Sequence, residues 1–203
     1  MGIYRDVILP KLCDRSMRND RLHPYRRRVI GAAAGRVLEI GAGSGLNLPF
    51  YRTTVREVLA LEPSPSLLEM ARRAPHSGVR VDFIEASAEA IPLDDGSVDT
   101  VVTTWTLCTI PGADAALSEM RRVLRPGGTL LFVEHGLSPD RGVRWCQNCL
   151  TPIWRRIGGG CHLNRPIRSM IEGAGFRIDR VETGYMRGPK PMTFMYEGSA
   201  RPR

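Results

Sequence analysis

The 203-residue sequence contains no run of about 18 apolar residues, the length a helix needs to cross a bilayer. No charged-then-apolar stretch of the secretory type opens it, so the expected location is the cytoplasm. There is no internal repeat and no low-complexity tract, which excludes solenoids, propellers and disordered linkers. Cysteines are few and odd in number: Cys13, Cys108, Cys146, Cys149 and Cys161. An odd count without a secretory leader points to reduced thiols and not to a disulfide framework. The length is enough for one α/β domain with a full core and too short for two.

Acidic charge is also in short supply. Against 29 basic residues, almost all of them Arg, stand 21 acidic ones, a net charge of +8. Residues 1–30 hold Arg5, Lys11, Arg15, Arg18, Arg21, Arg26, Arg27 and Arg28 against Asp6, Asp14 and Asp20. A basic surface can attract nucleic acid, anionic lipid or an acidic substrate. No nucleic-acid recognition module accompanies the charge, so a solvated helix face is the expected role.

Strand-like and helix-like segments alternate. Residues 1–33 read as two helical pieces broken near His23-Pro24. Strands are expected at 36–40, 57–61, 79–85, 98–103 and 129–133, and near 176–183 and 192–197. Helices are expected from Ser64-Pro65 to Ala74, over 113–124, over 140–157 and from Asn164-Arg165-Pro166 to about Ala174. The 140–157 segment carries Val143, Cys146, Leu150, Ile153, Trp154 and Ile157 on one stripe, the pattern of a core-facing helix. Pro126-Gly127-Gly128 reads as a helix stop. The alternation predicts an α/β fold: a mostly parallel seven-stranded sheet, helices on both faces, and a last strand joined as an antiparallel hairpin.

The strongest local signal is Glu39-Ile40-Gly41-Ala42-Gly43-Ser44-Gly45, directly after a strand. Glycines there allow a sharp turn and a close approach of ligand to main chain, and such loops lie where parallel sheets bind ligands. A dinucleotide fingerprint is missing, because it needs a third glycine at position 46, which is Leu46. The acid before the loop, Glu39, suits the cationic sulfonium and ammonium of S-adenosylmethionine (SAM) better than a pyrophosphate. Glu62, with Pro63, ends the next strand, where a carboxylate can accept both ribose hydroxyls.

In order along the chain, Val37–Gly45, Glu62, residues 88–99 and Leu124-Arg125-Pro126-Gly127-Gly128 resemble the class I SAM-dependent methyltransferases. Thr106-Leu107-Cys108, Glu134-His135 and Gly160-Cys161-His162-Leu163-Asn164-Arg165 are similar to a narrower group, the small-molecule thiol methyltransferases and their bacterial relatives. The resemblance implies a Rossmann-like fold. Residues 1–203 would form one domain, with 1–33 a helical lid over SAM and 34–203 the core. It implies SAM contacts at Glu39, Gly41, Gly43, Gly45, Glu62, Pro63, Ser87, Ala88, Glu89 and Thr104. The family's hydrophobic membrane anchor is not found, and neither is the usual Asp before the Ala-Glu pair, where Ser87 stands.

The implied reaction is methyl transfer to a small molecule, with a thiol as first choice and an oxygen, nitrogen or carbon acceptor as the alternative. The Asn/Asp-Pro-Pro-aromatic motif of nucleic-acid amino methylation is absent after strand four. A nucleic-acid protein and an inert SAM-binding partner are the other classes. His135, at a strand end, is the candidate base; Trp105 and His162 are candidates for the acceptor pocket. Cys146-x-x-Cys149 followed by Cys161-His162 has the outline of a zinc site. Cys146 sits on the apolar stripe, however, so thiols without metal are expected. A monomer or homodimer without stable nucleic acid is expected. The 140–157 helix is expected as a wall of the site, with contact to a membrane surface its lesser role.

Overall fold

The computed structural model describes residues 4–203. After a short π-helical turn at Tyr4–Ile8, helix α1 spans Leu9–Met17 and α2 spans His23–Ile30. The break falls before His23-Pro24, in a 3-10 turn at Asp20–Leu22. Pro24 sits in the first turn of α2, where its missing N–H costs nothing.

The strands are β1 (Gly35–Ile40), β2 (Val55–Leu61), β3 (Arg80–Ile84), β4 (Val98–Thr104), β5 (Leu124–His135), β6 (Phe176–Tyr185) and β7 (Phe194–Pro202). Between them lie α3 (Pro65–Arg72), α4 (Ala113–Val123), α5 (Arg141–Ile157), α6 (Ile167–Gly173) and α7 (Lys190–Thr193). The sheet order is β3-β2-β1-β4-β5-β7-β6. β3, β2, β1, β4 and β5 pair in parallel, while β7 runs antiparallel to both β5 and β6. The seven-stranded, mostly parallel sheet with its antiparallel end is thus as expected.

Apolar side chains alternate between two cores. Leu38, Val101, Leu130 and Phe132 point into the layer under α4 and α6. Val37, Val58, Val102 and Val133 point into the layer under α2. Strands buried on both faces read as continuous Val/Leu/Ile runs, which is why β1, β2 and β4 were visible in the sequence.

Two expectations are corrected. Residues 126–128 lie inside β5, which starts at Leu124, directly after α4. α5 forms as predicted, but it does not turn its apolar stripe inward. Leu150, Ile153 and Ile157 are exposed, and the buried residues are Gln147 and Thr151. Gln147 holds the helix down by polar contacts. It accepts from the Ser138 N–H (2.9 Å) and donates to the carbonyls of Gly136 (2.9 Å) and Pro191 (3.1 Å). These groups would otherwise be buried without partners, a cost of about 1–3 kcal/mol each, so satisfying them sets the inward face. No described helix is long and apolar enough to cross a membrane.

Candidate active site

The glycine loop leaves β1 at Ile40 and turns through Gly41 (φ +65°) and Gly43 (φ +56°). A Cβ on Gly41 would lie 2.4 Å from Thr106 Cγ2, so the loop after β4 can seat only against a glycine. Gly43 needs its left-handed backbone to turn its N–H onto Glu62 Oε2 (3.0 Å). The other carboxylate oxygen of Glu62 accepts from Ser64 N–H (3.0 Å). Glu62 thereby joins the ends of β1 and β2, and Ser64 caps α3 through Leu67 N–H.

A cavity of about 220 Å³ opens in front of the loop at the carboxyl ends of β1, β2 and β4. Of the residues singled out from sequence, Gly41, Glu62, Pro63, Ser87 and Ala88 line it. Thr106, Thr109, Ile110, Pro111 and Gly159 close its other side. A larger depression of about 530 Å³ lies at the opposite strand ends, around Gly35, Arg56, Asp99 and Arg125. Asp99 there is taken up by the Arg36 N–H and by the guanidinium groups of Arg56 and Arg125.

Other predicted residues stand behind the cavity wall. Glu39 is 1% exposed and accepts from Asn47 Nδ2 (2.8 Å) and the Tyr51 hydroxyl (2.8 Å). Asn47 also donates to Thr104 Oγ1 (2.9 Å) and accepts from Arg26 Nε (2.9 Å). This network braces the loop from below. Sequence reading missed Asn47, Tyr51 and Arg26; the one signal was a polar Asn inside the apolar stretch Leu46–Phe50. The Ser87 hydroxyl donates to Glu89 Oε2 (3.1 Å), and Glu89 Oε1 accepts from the Gly112 N–H. Glu89 therefore ties the Ser87 turn to the start of α4 and does not line the cavity. Trp105 packs edge-on to Tyr25 with Arg26 over its ring, away from the cavity. Its backbone is left-handed at φ +52°, strain of a kind that gathers at functional sites.

At the end of β5, Glu134 is fully buried and receives Thr103 Oγ1 (2.8 Å) and Thr106 N–H (3.1 Å). It thereby fixes the loop after β4. Arg165 clamps the same loop by donating to the Leu107 carbonyl. His162 donates its backbone N–H to the Cys108 carbonyl (2.8 Å), and its ring sits against the same oxygen. His162 is thus a tie between loops. His135 Nε2 lies 3.2 Å from Cys161 Sγ. Burial works against a charged imidazole, but the Cys161 sulfur and Glu134 outweigh it and hold His135 above its ordinary pKa. The Cys108 thiol and the His135 ring together hold Cys161 below the ordinary thiol range, against the pull of burial.

Cys108, His135 and Cys161 bring three donor atoms within 4.8 Å of one another. Cys146 and Cys149 lie on α5 outside that cluster, so the zinc outline read from their spacing is not assembled. A metal-bound histidine normally donates its second ring N–H to a partner. His135 Nδ1 is buried with none. We therefore expect purified protein to carry no stoichiometric zinc by elemental analysis. One zinc per chain, lost in Cys161→Ser, would show the cluster to be a metal site.

α1 lies across this region. Asp14 Oδ1 accepts from Ser44 Oγ in the glycine loop (2.6 Å), and the Tyr4 hydroxyl reaches the Ile157 carbonyl at the end of α5.

Burial raises Glu39 and Glu134 each to about 7, their hydrogen bonds notwithstanding. A carboxyl whose folded pKa is raised adds stability below its unfolded pKa, and that stability is lost as pH rises through the folded value. The melting temperature of the ligand-free protein should therefore fall between about pH 4.5 and 7. Glu134→Gln should flatten that slope; a wild-type profile that climbs over this window would contradict the assignment.

The residues fit SAM. A buried carboxylate and a backbone cradle face one cavity, and Leu46 stands where a pyrophosphate-binding loop needs its third glycine. Comparisons with known proteins agree. A methyltransferase domain model matches residues 38–132. The human thiol S-methyltransferase TMT1B is 33% identical over 96% of this chain and 81% of its own length. The rat TMT1B is 36% identical over 72% of this chain and 62% of its own length. The fold matches a SAM-dependent methyltransferase from Methanosarcina mazei at TM-score 0.68 and 18% identity, covering 91% of this chain and 97% of the other. From the loop, the cavity and these relatives together, the chain belongs to the SAM-dependent methyltransferases, and it is an enzyme of that family.

Proposed function

We propose that this enzyme methylates the sulfur of a small-molecule thiol. The observation that carries the reading is the likeness to human thiol S-methyltransferase over nearly the whole chain. Cys161, two residues beyond the cavity-lining Gly159, and its partner His135 support it.

SAM, when bound, supplies an already activated methyl group. Positioning therefore provides much of the rate. Gly41, Gly43 and Glu62 seat the cofactor, with Pro63, Ser87 and Ala88 along the nucleotide side. Glu39, Gly45, Glu89 and Thr104 act indirectly, by bracing the loops. α1 and the turn before it act as the lid and exclude water. Trp105 and His162 shape the acceptor side from behind the wall.

A thiol has a reference pKa of ~8.5 and is partly ionised near neutrality. Its proton needs only a modest base. His135 is that base in our reading, acting through Cys161, whose sulfur lies 3.2 Å from its Nε2. The acceptor's proton is taken up at the Cys161 sulfur, whose thiolate the His135 Nε2–H stabilises.

We infer a cytoplasmic enzyme, monomeric or homodimeric, with no stable nucleic-acid partner despite its +8 charge. A salt-dependent RNA or DNA gel shift checks the last point. For the reaction, incubation with SAM and a small alkyl thiol should yield the methyl thioether by mass spectrometry. No thioether, with SAM bound and the protein folded, would sink the thiol reading.

A further inference from the structure

Two of the five cysteines face each other beside the proposed base. Cys108 lies in the turn after β4 and Cys161 in the loop between α5 and α6. The hydrogen bond from His162 N–H to the Cys108 carbonyl (2.8 Å) holds these two loops together. The sulfurs lie within 4.8 Å of each other, with His135 Nε2 in the same cluster. Cys108 is 2% exposed and Cys161 8%. A disulfide has an S–S length of ~2.05 Å, so closing it needs a shared loop movement of no more than about 3 Å.

We propose that Cys161 and Cys108 form a reversible modification site, in which a peroxide oxidises Cys161 and Cys108 closes a disulfide that switches the active site off. Cys161 is the attacking sulfur because His135 stabilises its thiolate and because it is the more open of the two. The thiolate attacks one peroxide oxygen. An S–O bond forms, the O–O bond breaks, and the second oxygen leaves as water or alcohol after taking a proton. Cys161 is oxidised by two electrons to the sulfenic acid, and the peroxide is reduced. The Cys108 sulfur then attacks Cys161. The S–S bond forms, the S–O bond breaks, and the oxygen leaves as water with the Cys108 proton.

The disulfide takes the Cys161 sulfur away from His135 and so breaks the proposed proton path. Two small thiols reverse it by exchange: the first forms a mixed disulfide and the second releases it, leaving their own disulfide and two protein thiols. That last step rests on the thiol-acceptor reading and gives it a regulatory sense, since acceptor supply keeps the enzyme reduced and active. Formation of the bond does not depend on it.

The test uses the whole protein, reduced and then titrated with hydrogen peroxide. Peptide mapping should find Cys108 joined to Cys161 while the exposed Cys149 stays a free thiol. Methyl transfer should fall by the ~10²–10⁴ expected for a lost base, with SAM affinity retained, and a phosphine reductant should restore it. In Cys108→Ser the same treatment should leave a sulfenic acid on Cys161 that dimedone traps. Because the mapped bond is read without any turnover, it separates this proposal from the acceptor assignment. Oxidation confined to Cys146, Cys149 or Cys13, or a stoichiometric metal on the three donors, would overturn it.

Discussion

Replacing His135 with alanine is expected to lower thiol turnover by about 10²–10⁴, the usual cost of a lost general base, while leaving SAM affinity nearly intact. His135 is half-buried and touches Cys161, and it does not line the cavity. The defect should shrink as pH rises past the acceptor's own pKa, because the thiol then ionises without help. That pH dependence separates a base from a packing residue. A packing residue would lower the melting temperature and impair turnover equally at every pH. Cys161→Ser should show part of the same defect, since its hydroxyl relays a proton less readily than a thiol. Full activity of His135→Ala at neutral pH would remove the residue from the chemistry.

The second large effect concerns the cofactor. Glu62→Ala should weaken SAM binding about 10- to 150-fold, from charge-assisted hydrogen bonds worth ~1.5–3 kcal/mol. Glu62 is buried at the cavity wall and also accepts the Gly43 and Ser64 N–H groups. Its loss therefore loosens the glycine loop as well, and some fall in melting temperature is expected. Glu62→Gln keeps the shape and should lose less of both. Calorimetry on the two variants decides the matter. An unchanged SAM affinity in Glu62→Ala would exclude the residue from the site. In the wild type, SAM and its demethylated product should bind and NAD should not.

Much of the fold was legible because its signals are local. The strand-to-glycine turn at Ile40–Gly45 and the Ser64-Pro65 helix start each occupy consecutive positions with a clear physical purpose. α5 shows the limit of such reading. Periodicity reports that a helix is amphipathic, not that the apolar side is the one turned inward. In α5 the backbone groups of Gly136, Ser138 and Pro191 needed partners, and Gln147 met that need. β5 was read too short because Pro126-Gly127-Gly128 looked like a stop, whereas the chain enters the sheet at Leu124 without a turn.

The site divides in the same way. Gly41, Glu62, Pro63, Ser87 and Ala88 meet at one cavity because they follow the ends of adjacent strands, a relation that strand order alone predicts. The Asn47–Glu39–Tyr51 network and the Cys108–His135–Cys161 cluster each join a strand residue, Glu39 on β1 or His135 on β5, to side chains outside the sheet. Nothing near His135 in sequence announces Cys161, which follows only after the whole of α5. The cysteine spacing that did stand out, Cys146-x-x-Cys149, lies on a mostly exposed helix and assembles no cluster.

The acceptor atom decides what this enzyme does. Purified enzyme should be given SAM with a labelled methyl group and a panel of small thiols, phenols, amines and lipids at matched concentrations, and the label followed into product. Label should appear on sulfur, faster for thiols than for any other class, and should be lost in His135→Ala at neutral pH. Label on a phenol, amine or lipid with none on any thiol would contradict the account, though the enzyme would remain a methyltransferase.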